Sequence, residues 1–145
     1  MAQETDILIL LEVNIDGASR GNPGLSAIGI IIKKNNTILK EHSEFLGIRT
    51  NNQAEYEALK KALEICSGLD NEMMLLSDSE LLINQRNQRY RIRNQQLKTI
   101  SREISILEKN FQTIQYRHIP REKNNKADKL ANRALDDHIQ EKDIQ

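Results

Sequence analysis

Three carboxylates in this chain stand where carboxylates are expensive. Asp16 closes the apolar run Ile7 to Ile15, Asp78 closes the run Met73 to Leu76 after Ser77, and Glu55 follows the apolar Ala54 near the start of a helical pattern. Any one of them alone can be structural, capping a helix or bonding turn amides. Gathered into one place they would repel one another, and a hard divalent cation such as Mg²⁺ relieves that repulsion while taking phosphate oxygens as further ligands. Strand carboxyl ends in mixed α/β sheets are also where ligands commonly bind. The condition is geometric: Asp16 and Asp78 must sit on neighbouring strands, and the helix must bring Glu55 alongside.

The elements that would position them can be read from the apolar periods. Ile7 to Ile15 is too short for a good helix and suits a strand buried on both faces. Gly17 to Gly24 holds three Gly and Pro23 and reads as a turn, Ala27 to Lys33 as a second strand, Asn35-Asn36 as a hairpin turn and Thr37 to Gly47 as a third strand. From Asn51 the period becomes helical: Ala54, Ala58, Leu59, Ala62, Leu63 and Cys66 share a face, with Asn51 or Asn52 as N-cap and Gly68 as the stop. A strand at Met73 to Leu76, a brief helix at Ser79 to Asn84 and an amphipathic helix at Asn94 to Lys109 follow. Gln112 to Ile119 alternates as a strand, and Asn125 to Ile139 is a last helix before a frayed acidic tail. This order predicts a mixed α/β sheet covered by helices.

The residues around the acids carry a resemblance. Asp16-Gly17-Ala18-Ser19-Arg20-Gly21-Asn22-Pro23-Gly24, Thr50-Asn51-Asn52-Gln53-Ala54-Glu55, Ser77-Asp78-Ser79 and the segment from His118 to Asp128 occur in the order of the four motifs of the type 1 ribonuclease H family. The first is the most specific, and the resemblance spans roughly Ile7 to Leu135. It implies a ribonuclease H-like α/β fold, with a five-stranded mixed sheet (three antiparallel strands, then two parallel) and helices on both faces, in one domain over 1–145 with a core of about 7–135 and a tail at 136–145. It further implies an endonuclease that cuts the RNA strand of an RNA–DNA hybrid, leaving 5′-phosphate and 3′-hydroxyl ends. Asp16, Glu55, Asp78 and Asp128 match the family's catalytic and metal-binding acids, with two Mg²⁺ ions (or Mn²⁺) about 4 Å apart around the scissile phosphate. His118 matches a mobile histidine that assists proton transfer or product departure.

The same resemblance assigns the minor groove and its 2′-hydroxyls to Asn22, Asn51 and the backbone of the Gly-rich segment, Gly17 and Ser19 included, with Asn52 nearby. It adds Asn124 as a further substrate contact and Thr50 as the residue that would hold a DNA phosphate. Where many relatives place an Arg, this chain has Ile48, with Arg49 beside it; Glu80 stands where Gln is common; Ser19-Arg20 departs from the small and apolar pair common in bacterial members, and Arg20 could add a backbone contact. The chain also resembles members without the basic protrusion, since Asn84 to Asn94 is short and holds no Trp. From composition alone, Arg86, Arg89, Arg91, Arg93, Lys98 and Arg102 form a stretch without an acid. Arg89, Arg91 and Arg93 are the candidates for a substitute handle on phosphate.

Composition removes other classes. Lysine and arginine number 21, against 21 acids, so attraction to nucleic acid cannot come from overall charge and must be local. The single cysteine, Cys66, excludes an internal disulfide and a multi-cysteine zinc site, and it reads as helix filler. Without an apolar run long enough to span a bilayer, the expectation is a cytoplasmic monomer with no membrane partner. His42 and His138 lack a motif context and are expected at the surface. Two rival readings remain open: another nuclease of the ribonuclease H-like superfamily, and a hybrid-binding domain without catalysis.

Overall fold

Asn35 and Asn36 take φ of 53° and 64°, the left-handed pair that a two-residue hairpin needs. They join the second and third strands of a meander: β1 (Leu11–Gly21), β2 (Gly24–Lys34) and β3 (Thr37–Arg49). The computed structural model describes residues 10–144, so the first three residues of the strand expected from Ile7 lie outside the described residues. After the meander come α1 (Asn51–Cys66), β4 (Glu72–Ser77), α2 (Glu80–Arg86), α3 (Gln95–Glu108), β5 (Thr113–His118), a 3-10 turn at Arg121–Lys123 and α4 (Asn125–Ile144). The sheet order is β3-β2-β1-β4-β5, antiparallel through the meander and parallel from β1 to β4 and β4 to β5. The expected five-stranded mixed sheet is therefore the observed one.

Helices cover both faces. Val13, Ile15, Ile28 and Ile30 pack with Leu59, Leu63 and Ile104 in the main core, on the side of α1 and α3. On the other face, Ala127, Leu130, Ala131 and Leu135 of α4 are buried against the meander. Two glycines set how closely the helices approach. A Cβ on Gly17 would lie 2.4 Å from the Ala54 carbonyl carbon, and one on Gly29 2.1 Å from the Ala127 carbonyl oxygen.

Four sequence expectations change. The Gly-rich segment is mostly strand: β1 keeps its register with β2 as far as Gly21↔Gly24, leaving Asn22 and Pro23 as the turn. Its Gly17 serves the helix contact and not a bend. The N-cap of α1 is Thr50, one residue before the asparagines, because its hydroxyl accepts from the Gln53 amide while the Gln53 side chain accepts from the Thr50 amide. The last helix does not stop at Ile139, since α4 runs to Ile144. Arg20 holds Asp136 at 2.7 Å and His138 stacks on Phe45 at 3.8 Å, so the helix stays anchored beyond Leu135. That stacking also takes His138 out of the set of plain surface histidines, whereas His42 contacts Glu44 at 2.8 Å. No helix among the described residues is long and apolar enough to cross a membrane.

Candidate active site

The parallel pairing of β1 with β4 ends at Asn14↔Leu76, while the antiparallel pairing with β2 continues. Asp16 therefore lies inside a strand, not at its end as expected, yet it sits just past the point where its β4 neighbour stops. Asp78 directly follows β4, and the two acids meet at the edge this opens. Gly17 lets α1 descend onto β1, and its amide donates to Glu55 Oε1 at 3.2 Å. One carboxylate oxygen from each of Asp16, Glu55 and Asp78 lies within 4.8 Å of the others. Asp128, in the first turn of α4, lines the same cleft of about 420 Å³, accepts from Asn132 Nδ2 at 3.1 Å and meets the Asp16 carboxyl, without joining the group in which all the acids lie within 4.8 Å of one another.

The electrostatics follow from burial. Asp16 is 6% exposed and Glu55 8%. Burial, reinforced by the charge of Asp78, pushes the Asp16 carboxyl up to about 7. Burial and the charge of Asp16 carry Glu55 well above the usual carboxylate range, and burial also raises Asp78 against the pull of Arg121. Glu55 Oε2 is buried with no hydrogen-bond partner among the described residues. An unpartnered buried acceptor costs stability. Oxygen donors only, crowded acids and an orphaned carboxylate oxygen together fit a hard divalent cation.

A pH dependence follows with a definite sign. The folded state keeps the Asp16 proton up to about pH 7, whereas the unfolded chain releases it near 3.8. In metal-free protein the contribution of this group to stability is greatest below that lower value and falls as pH rises through the window. Binding a cation requires the deprotonated form, so Mg²⁺ should raise the melting temperature by several degrees at about pH 8 and by much less at about pH 5. Thermal melts with and without Mg²⁺ check this, and equal shifts at both values would contradict it.

The remaining candidates divide. Gly17, Ser19 and Asn51 line the cleft with the acids. The Ser19 hydroxyl is directed at the carbonyls of Gly21 and Arg49, and Asn22 Oδ1 accepts from the Asn51 amide at 3.0 Å, which ties the meander turn to the start of α1. Asn52 is exposed beside them, and the Thr50 hydroxyl is engaged in its cap. His118, exposed at the end of β5, pairs with Ser77 in register, and its charge acts to lower the Asp78 carboxyl. Glu80 is exposed at the first position of α2.

Asn124 does not face the cleft. It is 1% exposed, its Nδ2 donates to the Ile15 carbonyl at 2.8 Å and its Oδ1 accepts from Asn14 at 3.1 Å, so the amide pins the start of α4 to β1. Arg89, Arg91 and Arg93 are exposed on the connection between α2 and α3. Arg86 leaves that group, because its guanidinium turns inward to Glu108 at 2.7 Å and to Ser101. Arg49 is held by Glu57 at 2.8 Å. Arg121 and Asn132 line the cleft and were not anticipated; Asn132, four residues after Asp128, could have been found from helical spacing.

Comparison with known proteins agrees with this geometry. The family model described as reverse transcriptase-like matches residues 14–134. A bifunctional protein of Mycobacterium tuberculosis is 35% identical over 127 residues, which are 86% of this chain and 35% of that protein. The ribonuclease HI of Halobacterium salinarum is 39% identical over 125 residues, 84% of this chain and 62% of the relative, so the chain spans less than two thirds of either protein. The crystal structure of RNase H1 from the same archaeon superposes with a TM-score of 0.84 at 36% identity, covering 88% of this chain and 98% of that one. LC11-RNase H1, solved in complex with an RNA/DNA hybrid, gives 0.85 at 35% identity, covering 89% and 99%. Sheet order, acid cluster and sequence likeness agree, and the chain belongs to the reverse transcriptase-like family and, within it, to the type 1 ribonucleases H.

Proposed function

We propose that this chain is an endonuclease that hydrolyses the RNA strand of RNA–DNA hybrids with two divalent ions, leaving 5′-phosphate and 3′-hydroxyl ends. The observation that carries the reading is the trio of carboxylate oxygens from three separate elements within 4.8 Å. The hybrid bound to LC11-RNase H1 supports the choice of substrate. Mg²⁺ is the proposed ion, with Mn²⁺ as the substitute that oxygen ligands also accept.

Asp16, Glu55, Asp78 and Asp128 would hold the ions, and what these supply when bound is an activated water and relief of charge on the departing 3′ oxygen. The remaining work belongs to the chain. Asn22 fixes the Asn51 backbone, leaving the Asn51 side chain to read the minor groove with Asn52, Ser19 and the Gly17 backbone. An amide both donates and accepts, which suits a 2′-hydroxyl. Thr50, already bound into its cap, meets a DNA phosphate at the start of α1. His118 moves a proton at the rim or assists product departure. Asn124 acts as a positioning residue: its carbonyl accepts from the Asp128 amide at 3.1 Å while its side chain grips β1.

Arg89, Arg91 and Arg93 supply phosphate contacts of low sequence preference. Replacing all three by Ala should weaken hybrid binding and reduce the salt slope by about 2 to 3, at roughly 0.9 for each phosphate no longer neutralised. An unchanged slope in a salt titration would dismiss the group. A cytoplasmic monomer completes the reading, in keeping with the single buried cysteine.

The deciding assay compares labelled RNA–DNA hybrid, duplex DNA and duplex RNA, each with and without Mg²⁺. Cutting of the RNA in the hybrid, and only with metal, is the expected result. A hybrid bound but uncut would make the chain a binding module, and cut DNA would make it another nuclease of the same superfamily.

A further inference from the structure

Five cations lie away from the acids, along the outer side of α4 and the strand beneath it. Lys126, Lys129 and Arg133 recur at helical spacing and lie about 200°, 100° and 140° around the helix from Asp128, so the acid faces the cleft while the cations line a different face. Lys33 of β2 and Lys123 of the 3-10 turn extend the row past the start of α4. Two grooves of about 230 and 290 Å³ run beside these residues and share Ile31 and Lys126 as walls. Lys123, Lys126, Lys129 and Arg133 are exposed, and among the described residues none of the five forms an ion pair. Against them the grooves carry Glu41 and Glu122, while Glu12 stands opposite Lys33 across the β1–β2 ladder and Asp137 lies one turn beyond Arg133. On a chain of zero net charge this is a local cationic excess separate from the cleft.

We propose that this face binds the sugar-phosphate backbone of a duplex nucleic acid outside the catalytic cleft. Lys126 to Arg133 rise about 10 Å along the helix, the axial length of about three nucleotides of one strand. A duplex edge can therefore meet several of the cations at once. The lining has no aromatic side chain on which unpaired bases would stack, and it lacks the aromatic anchors typical of a protein partner. Contacts of this kind give affinity without sequence preference. Their use is to keep the protein on the duplex that flanks its substrate, a consequence that rests on the proposed hybrid cleavage, whereas the binding itself does not.

The test is a variant carrying Lys123→Gln, Lys126→Gln, Lys129→Gln and Arg133→Gln, with Lys129→Gln alone as a second variant should the first melt lower than wild type. Binding to plain duplex DNA is followed by fluorescence anisotropy across a salt series, and cleavage of a hybrid one helical turn long is measured at saturation. The expected result is at least about a tenfold loss of duplex affinity at low salt and a slope smaller by about 2 to 3, with the cleavage rate unchanged. Wild-type affinity and slope in the variant would overturn the proposal, as would binding of wild type to anionic vesicles but not to DNA. If neither protein cuts the hybrid while duplex binding still falls in the variant, the cleavage reading fails and this surface stands.

Discussion

Asp16→Asn is expected to lower the rate of hybrid cleavage by about a thousandfold or more while making the metal-free protein more stable. The loss follows from the carboxylate cluster that Asp16 forms with Glu55 and Asp78; changes one layer further from a metal already cost about 10–100-fold, so removing the proposed ligand costs more. The gain follows from the same crowding. A neutral amide ends the burial of a charge, and with it the repulsion from Asp78, that together hold the Asp16 carboxyl up to about 7, and at pH 8 without metal that relief is of the order of a few kcal/mol. Opposite signs for activity and stability distinguish a ligand from a structural acid, whose replacement would cost both. Cleavage kinetics and urea melts of the two proteins give the answer, and a variant that is both inactive and less stable would return Asp16 to an architectural role.

Gly29→Ala is expected to destabilise the fold by about 3 kcal/mol and to depress cleavage with it. The new methyl would fall 2.1 Å from the Ala127 carbonyl oxygen and 2.8 Å from the Ala131 amide nitrogen, both of them backbone, so α4 must move away from the sheet. Asp128 sits one residue from that contact and would move with the helix. Gly68→Ala is the contrasting case, because Gly68 has φ of +88° with nothing within 4 Å, and only the left-handed backbone penalty of about 1 kcal/mol applies. Denaturant melts of the two variants should therefore separate by roughly 2 kcal/mol. Equal losses would mean that helix approach is not what Gly29 provides.

These two residues show which parts of the site are legible in a sequence. Apolar runs leading into Asp16 and Asp78 announced two acids on strands, at the strand end for Asp78 but not for Asp16, and the helical period around Ala54 announced the element that delivers Glu55. The course of β1 through Gly17 and Gly21 was not legible, because glycines that admit a helix look the same as glycines that make a turn. Only the partner differs, and Ala54 or Ala127 is distant in sequence. The cap is written in the sequence: Thr50-Asn51-Asn52-Gln53 has the spacing of a capping box, which outranks an adjacent asparagine. Asn124 and Arg86 depended on what they would meet. A loop amide reads as a substrate contact until the Ile15 carbonyl arrives beneath it, and an arginine among arginines reads as exposed until Glu108, on another helix, takes it inside. Types and periods carry the chemistry and the elements; long-range contacts decide which polar groups are already spent.

The central claim is that Asp16, Glu55, Asp78 and Asp128 together hold divalent ions against a nucleotide strand. A crystal structure with a short RNA–DNA hybrid and Ca²⁺, an ion that also takes carboxylate oxygens, tests it directly. The expected result is two ions among these carboxylates, with a phosphate of the RNA strand bridging them and Glu55 Oε2 no longer without a partner. A hybrid seated elsewhere on the surface, or a cleft that takes up no ion in saturating Ca²⁺, would contradict the claim.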